Sequence, residues 1–218
     1  MGESEPTSPL DLGSARLEAF SDAVMAVIIT LLAFELKPPG GPSLAALAAV
    51  FPGFAIYVLS FLFVAIYWNN HHHLLRATTR ISGAVMWSNM ALLLCLSLIP
   101  VTAEWIRNAY ELGPERTDRA ADIAWSVAFF GAVGLATALA YFVLVRTIIR
   151  ANGPESLVGT SVHADLKGKI SLALYAVGAA LAFVNVWIAY ALYAAVAVMW
   201  LVPDRRFTRE QERAFGEA

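Results

Sequence analysis

Five long apolar stretches limit what this chain can fold into. They cover residues 16–36, 44–67, 81–101, 121–149 and 170–202, and each holds few charged side chains. About 20 apolar residues in a helix cross the roughly 30 Å of hydrocarbon in a bilayer. The composition agrees, because 59% of the residues are hydrophobic and only 15% are charged. The sequence therefore predicts an all-α integral membrane protein rather than a soluble domain.

The number of spans depends on the last apolar stretch and on the distribution of charge. As one helix, residues 170–202 would be about 50 Å long, which is too long for one crossing. Two short helices joined near Asn185 fit better and give six transmembrane helices. With six, eleven Lys and Arg side chains lie on the side of the two termini and four on the other; with five, the split is seven to eight. The positive-inside rule therefore favours six spans with both termini cytoplasmic.

The polar segments define the expected domain organisation. We expect an N-terminal cytoplasmic segment over residues 1–15, a six-span domain over 16–203 and a C-terminal cytoplasmic tail over 204–218. The N-terminal segment lacks the basic region of a signal peptide, so the first span is expected to act as the insertion signal. Pro100 is expected to end the third span, which leaves residues 102–121 as a polar connection.

The first apolar stretch is the most suggestive of function. Asp22 lies about one turn inside it, where an ionisable group is costly unless a partner or a water path is near. At about 100° per residue, one face of this helix combines Ala23, Val27, Thr30, Leu31 and Phe34. This stripe can line a narrow apolar path that contains one hydroxyl, or it can pack against neighbouring helices.

Three consecutive histidines, His71, His72 and His73, stand at the cytoplasmic end of the second span. Histidine binds metal ions and titrates near neutral pH, so a metal centre or a proton-sensitive element is conceivable. Consecutive helical side chains point about 100° apart, however, and cannot all face one ion. The only other histidine is His163, which is too few for the histidine-rich boxes of membrane hydroxylases and desaturases.

We expect one histidine to face the polar end of the first helix instead. A carboxylate that accepts a hydrogen bond from an imidazole or an indole would satisfy the buried polar groups there. The residues of this expected motif network are Arg16, Phe20, Ser21, Asp22, His71, His72, His73 and Trp87.

Several functional classes lack their sequence signatures. No Walker motif, nucleophile elbow or dinucleotide-binding fingerprint is present, so we expect neither an enzyme nor a cofactor. There is no carbonyl filter loop of the TVGYG type and no arginine ladder of a voltage sensor. The net charge of −2 suggests no nucleic-acid partner.

Arg16-x-x-x-Phe20-Ser21-Asp22, followed by AVMAVIITLL, resembles the RxxxFSD signature of the transmembrane protein 175 family of potassium channels. Members occur in lysosomes and in prokaryotes. The six-span layout, the histidine-rich end of the second span and the tryptophan in the third agree with this resemblance. It implies a K⁺ channel whose first helix lines the pore, and a homotetramer of six-span units in the cell membrane.

The resemblance also implies roles for individual residues. Val27, Leu31 and Phe34 would lie at or beside the constriction, and Thr30 would form a hydroxyl layer that K⁺ contacts transiently. The motif network would pack and assemble the subunits rather than bind ions. Val27 is smaller and Phe34 larger than the residues that the family often places there, so we expect the constriction nearer Phe34. Two other hypotheses remain open: a proton-conducting or proton-regulated pore, and a histidine-dependent membrane metalloenzyme.

Overall fold

The computed structural model describes residues 9–111, 118–161 and 166–201, and these ranges contain helices and no strands. The expected tail over residues 204–218 and the first eight residues of the expected N-terminal segment lie outside the described residues. The helices are α1 (Pro9–Phe34), α2 (Leu44–Arg76), α3 (Gly83–Ser97), α4 (Ile99–Glu111), α5 (Arg119–Asn152), α6 (Leu157–Ser161), α7 (Leu166–Leu181) and α8 (Val186–Leu201). The all-α prediction is confirmed.

Four helical segments are long and apolar enough to cross a membrane. They are Gly13–Phe34, Leu44–Arg76, Gly83–Glu111 and Arg119–Asn152, and the third of them joins α3 to α4. The last apolar stretch divides as expected into α7 and α8, which have 16 residues each. Asn185 lies in the turn between them, and its side-chain oxygen accepts a hydrogen bond of 2.9 Å from the Trp187 amide.

The third stretch differs from the sequence-based expectation. It is interrupted at Leu98 and continues as α4 to Glu111, so the prediction that residues 102–121 form a connection is wrong for 102–111. Pro100 occupies the first turn of α4, where a backbone N–H needs no partner within the helix. The proline therefore starts a second helix instead of ending the segment.

α5 is the central helix, and α3, α4, α7 and α8 pack against it. Tyrosine rings fill the space above glycines in this part of the bundle. A β-carbon at Gly134 would lie 2.7 Å from the Tyr175 ring, and the Tyr193 ring covers Gly131 and Gly178. Gly131 and Gly134 therefore allow close packing on α5, with an aromatic side chain as the partner surface. α1 packs elsewhere, on α2, α3 and α4.

Candidate functional site

One face of α1 is uncovered in the described part of the chain. Val27, Leu31 and Phe34 are 58%, 47% and 79% exposed, whereas Met25 and Leu32 on the opposite face are 1% and 2% exposed. Buried side chains recur along the second face because it packs on α2, α3 and α4. The stripe identified from helical periodicity is therefore the face of α1 that does not pack against the other described helices of the chain.

Thr30 is the hydroxyl on this uncovered face. Its Oγ1 donates a hydrogen bond of 2.8 Å to the Ala26 carbonyl oxygen, one turn earlier in α1. Because the hydroxyl hydrogen is committed to the backbone, the oxygen presents only its lone pairs to its surroundings. Thr30 can thus coordinate a cation, and in this rotamer it offers no hydrogen to an anion.

A buried, uncharged network fixes the N-terminal half of α1. Ser21 Oγ donates to the Leu17 carbonyl oxygen at 2.8 Å and accepts from Asn89 Nδ2 at 2.9 Å. Asn89 Oδ1 lies 2.7 Å from His71 Nε2, and the Ser21, His71 and Asn89 residues are all 0% exposed. Since the amide nitrogen faces Ser21, the amide oxygen must accept a hydrogen from His71 Nε2. These bonds join α1, α2 and α3.

A second, partly exposed layer lies next to this network. Asp22 Oδ1 accepts a hydrogen bond of 3.0 Å from Trp68 Nε1. The Trp68 ring stacks on the His72 ring with centroids 5.6 Å apart. His72 Nδ1 lies 2.8 Å from Glu18 Oε1, and Arg76 Nε lies 3.6 Å from the same oxygen. The polar end of α1 is therefore tied to α2 by both carboxylates.

The remaining members of the expected network lie at its edge. His73 is half-buried, and its ring lies 5.7 Å from the His72 ring. Arg16 and Phe20 are exposed, and Trp87 is 78% exposed. Within the described residues the indole that bonds Asp22 belongs to Trp68 rather than to Trp87, and the assignment of Trp87 to the network stays a prediction.

The sequence analysis did not single out Trp68, Asn89 or Glu18. Two of them could have been found from spacing. Glu18 precedes Asp22 by four residues and Trp68 precedes His72 by four, so each pair lies on one helix face. Oxygen or nitrogen atoms of Glu18, Asp22 and His72 lie within 4.8 Å of one another. Glu18 and His72 contact each other, and Asp22 is bonded to Trp68.

A cluster of charges surrounds the C-terminal end of α1. Arg107 Nη2 lies 3.4 Å from Glu35 Oε2 and also contacts the Glu104 carboxylate, while Nη1 donates to Glu111 at 2.9 Å. Lys37 Nζ lies 2.7 Å from Glu111. A hydrogen bond with Glu104, followed in importance by partial burial, raises the pKa of the Glu35 carboxyl above its ordinary value of 4.5. We call these five residues the Arg107 cluster.

Comparison with known proteins relates this geometry to a family. A family model described as "Endosomal/lysosomal potassium channel TMEM175" matches residues 16–100, which include the uncovered stripe and the buried network. A protein named as a potassium channel in Chryseobacterium sp. (strain P1-3) is 40% identical over 195 residues, which are 89% of this chain and 95% of that protein. Another, in Streptomyces collinus (strain DSM 40733 / Tue 365), is 38% identical over 136 residues, or 59% of this chain and 61% of that protein.

The fold is also shared with a solved structure. The crystal structure of a lysosomal potassium-selective channel TMEM175 homolog from Chamaesiphon minutus matches with a TM-score of 0.71 and 23% identity. The match covers 87% of this chain and 97% of that one. With a relative that is 40% identical over nearly the whole length of both proteins, the chain belongs to the TMEM175 family of potassium channels.

Proposed function

We propose that this chain forms a potassium-permeable channel in the cell membrane, as a homotetramer whose pore is lined by α1 of each subunit. The observation that carries the proposal is the uncovered apolar stripe of α1, in which Thr30 is the single hydroxyl between large apolar side chains. In a ring of four copies this face forms the wall of a narrow apolar path that contains one layer of hydroxyl groups. The names of the family and its relatives support K⁺ as the ion.

The proposed topology has six spans with both termini in the cytoplasm. The crossing segments are α1, α2, the joined α3 and α4, α5, α7 and α8. Support comes from the charge distribution, since eleven of the fifteen Lys and Arg side chains then lie on the cytoplasmic side. In this orientation Ser21 lies near the cytoplasmic mouth of the pore and Phe34 near the opposite mouth.

The proposed mechanism is gating by an apolar constriction. The pore is narrowed by three rings of four side chains, one ring each from Val27, Leu31 and Phe34. A narrow apolar pore expels water and excludes ions. Conduction requires these rings to move apart far enough for water and a partly dehydrated K⁺ to pass. The Thr30 oxygen replaces part of the lost hydration, and the large Phe34 ring makes its layer the narrowest.

Charge at the outer mouth would assist cation entry. Glu35 follows the Phe34 layer directly, and the Arg107 cluster contains three carboxylates and two cationic side chains. A net negative mouth raises the local concentration of cations. No cofactor takes part in this mechanism, since the ion and the pore wall are its only components.

A reconstituted flux assay tests the proposal. Wild-type protein in liposomes should pass K⁺, and Leu31→Ala and Thr30→Ala should change the K⁺ flux or the K⁺ over Na⁺ preference severalfold. Leu139→Ala is the matched control, because Leu139 lies on α5 and is 51% exposed, close to the 47% of Leu31. Absence of K⁺ flux from tetrameric protein, or equal effects of Leu31→Ala and Leu139→Ala, would refute the proposal.

The proton-conducting alternative has a different requirement. It needs titratable groups along the pore, but α1 has none between Ala23 and Phe34. The titratable side chains Glu18 and Asp22 of α1 lie near the N-terminal end of the helix, where Asp22 accepts a hydrogen bond from Trp68 and Glu18 lies 2.8 Å from His72 Nδ1 of α2. If the pore conducts protons, proton flux should follow a pH gradient and should disappear when the three histidines are replaced. The metalloenzyme hypothesis loses support because the relatives are potassium channels rather than enzymes.

A further inference from the structure

The two ends of α1 are held by different kinds of interaction. In its N-terminal half, Ser21 is bonded to Asn89 inside a fully buried, uncharged network. At the C-terminal end, Glu35 is held by an ion pair with Arg107. Neutral buried hydrogen bonds hold a geometry firmly, whereas an ion pair with an exposed carboxylate is weaker and hydrated. The C-terminal end is therefore the more easily displaced.

Arg107 is built into the bundle rather than attached to its surface. Only 10% of its side-chain surface is exposed. Its stem lies against Gly53 of α2, where an added β-carbon would lie 3.4 Å from Arg107 Cδ. The guanidinium reaches Glu104 and Glu111 on its own helix and Glu35 after α1. One side chain thus connects α1, α2 and α4.

The interruption at Leu98 lies between the two residues that hold α1, which are Asn89 near its N-terminal half and Arg107 at its C-terminal end. Asn89 lies on α3 and Arg107 on α4, and these are distinct helices because the segment breaks before Pro100. α4 can therefore tilt with respect to α3 without breaking the bond between Asn89 and Ser21. Any such tilt would move Arg107, and with it the end of α1 that carries Phe34.

We propose that Arg107 positions the C-terminal end of α1 through Glu35 and thereby sets the width of the pore at the Phe34 layer. This inference rests on the proposed function, in which α1 lines the pore. Glu35 directly follows Phe34, so a displacement of the carboxylate is transmitted to the ring within one residue. Arg107 is a positioning residue in this scheme and does not touch the ion.

Two substitutions at Glu35 distinguish its effect on the position of α1 from the effect of its negative charge at the mouth of the pore. Glu35→Gln and Glu35→Ala remove the same negative charge, but the glutamine side-chain oxygen can still accept a hydrogen bond from Arg107 Nη2. We expect Glu35→Ala to change K⁺ flux severalfold and Glu35→Gln to stay near wild type. Arg107→Lys, which loses the planar two-pronged donor, should resemble Glu35→Ala. Asp118→Asn is the control, because it also removes one negative charge, from an exposed side chain that makes no capping hydrogen bond with α5 and does not belong to the Arg107 cluster.

A combination with Phe34→Ala identifies the layer through which Glu35 acts. We call the contact between Arg107 and Glu35 the anchor of α1. If this anchor works by placing the Phe34 ring, Glu35→Ala should have no further effect on K⁺ flux or on K⁺ over Na⁺ preference once that ring is removed. A merely structural contribution would instead add to the effect of Phe34→Ala. Unfolding temperatures of the Glu35 and Phe34 variants, measured in the same detergent, should stay close to that of the wild type because both side chains are exposed.

The outcomes distinguish this inference from the proposed function. If wild-type protein conducts and Leu31→Ala alters conduction, but Glu35→Ala behaves as wild type, the anchor is refuted and the pore stands. Equal effects of Glu35→Ala and Glu35→Gln would assign the effect to mouth charge and also refute the anchor. Absence of any K⁺ flux in the wild type would refute the pore itself.

Discussion

Asn89→Leu should be among the most destabilising single substitutions outside the pore. Leucine is close to asparagine in size, so the change removes polar atoms with little change in volume. It leaves the Nε2 hydrogen of His71 without an acceptor, and both residues are fully buried. An unsatisfied buried donor costs about 1–3 kcal/mol, and the lost bond to Ser21 adds about 1 kcal/mol, for a total of about 2–4 kcal/mol.

The double variant makes this prediction sharper. Replacing both partners of a buried hydrogen bond with apolar groups can be nearly neutral, because no polar group is left without a partner. We therefore expect the pair His71→Phe and Asn89→Leu to cost less free energy of unfolding than Asn89→Leu alone. Adding His71→Phe to Asn89→Leu should therefore restore part of the free energy of unfolding that Asn89→Leu alone removes.

Equilibrium unfolding in mild detergent, followed by circular dichroism during denaturant titration, measures these differences. Ser21→Ala tests the same network from α1, because it leaves the buried Asn89 amide nitrogen without its acceptor and should cost about 1–3 kcal/mol. The reasoning is refuted if Asn89→Leu stays within about 0.5 kcal/mol of the wild type, the range of an ordinary surface substitution. It is also refuted if the costs of the two single substitutions simply add.

Two further substitutions test the packing and the second layer. Gly134→Ala places a methyl group against the Tyr175 ring and should lower the free energy of unfolding by about 1–3 kcal/mol, measured by the same titration; an unchanged value would mean that the ring moves freely. Trp68→Phe removes the indole donor to Asp22 and should cost about 1 kcal/mol, because the bond is exposed. Trp87→Phe in the assembled protein should then cost less, and an equal or larger cost would place Trp87 in the network across a subunit boundary.

The features that sequence predicted well are those with a local physical cause. The division of the last stretch near Asn185 follows from comparing the length of a helix with the thickness of a bilayer. The stripe from Val27 to Phe34 follows from the turn of a helix, which converts spacing directly into a face. Neither inference needs knowledge of what the helix packs against.

The features that sequence missed depend on contacts between distant segments. The polarity of residues 102–111 suggested a connection, because their charges look exposed until Arg107 is seen among three carboxylates. A proline both ends helices and starts them, so Pro100 alone could not show which role it takes. Trp68 was not predicted, since only the packing of α1 against α2 brings its indole to Asp22, while the place of Trp87 in the network stays a prediction.

The fit of Tyr175 to Gly134 and of Tyr193 to Gly178 has an evolutionary consequence. Each of these glycines leaves room for a ring, so a β-carbon at the glycine is costly while the ring stays the same. We expect a lineage that gains a β-carbon at one position to lose part of the ring at the other, in the same step or soon after. Among relatives of this protein, these positions should be inherited as pairs, and their joint substitutions would record how α5, α7 and α8 have repacked over time.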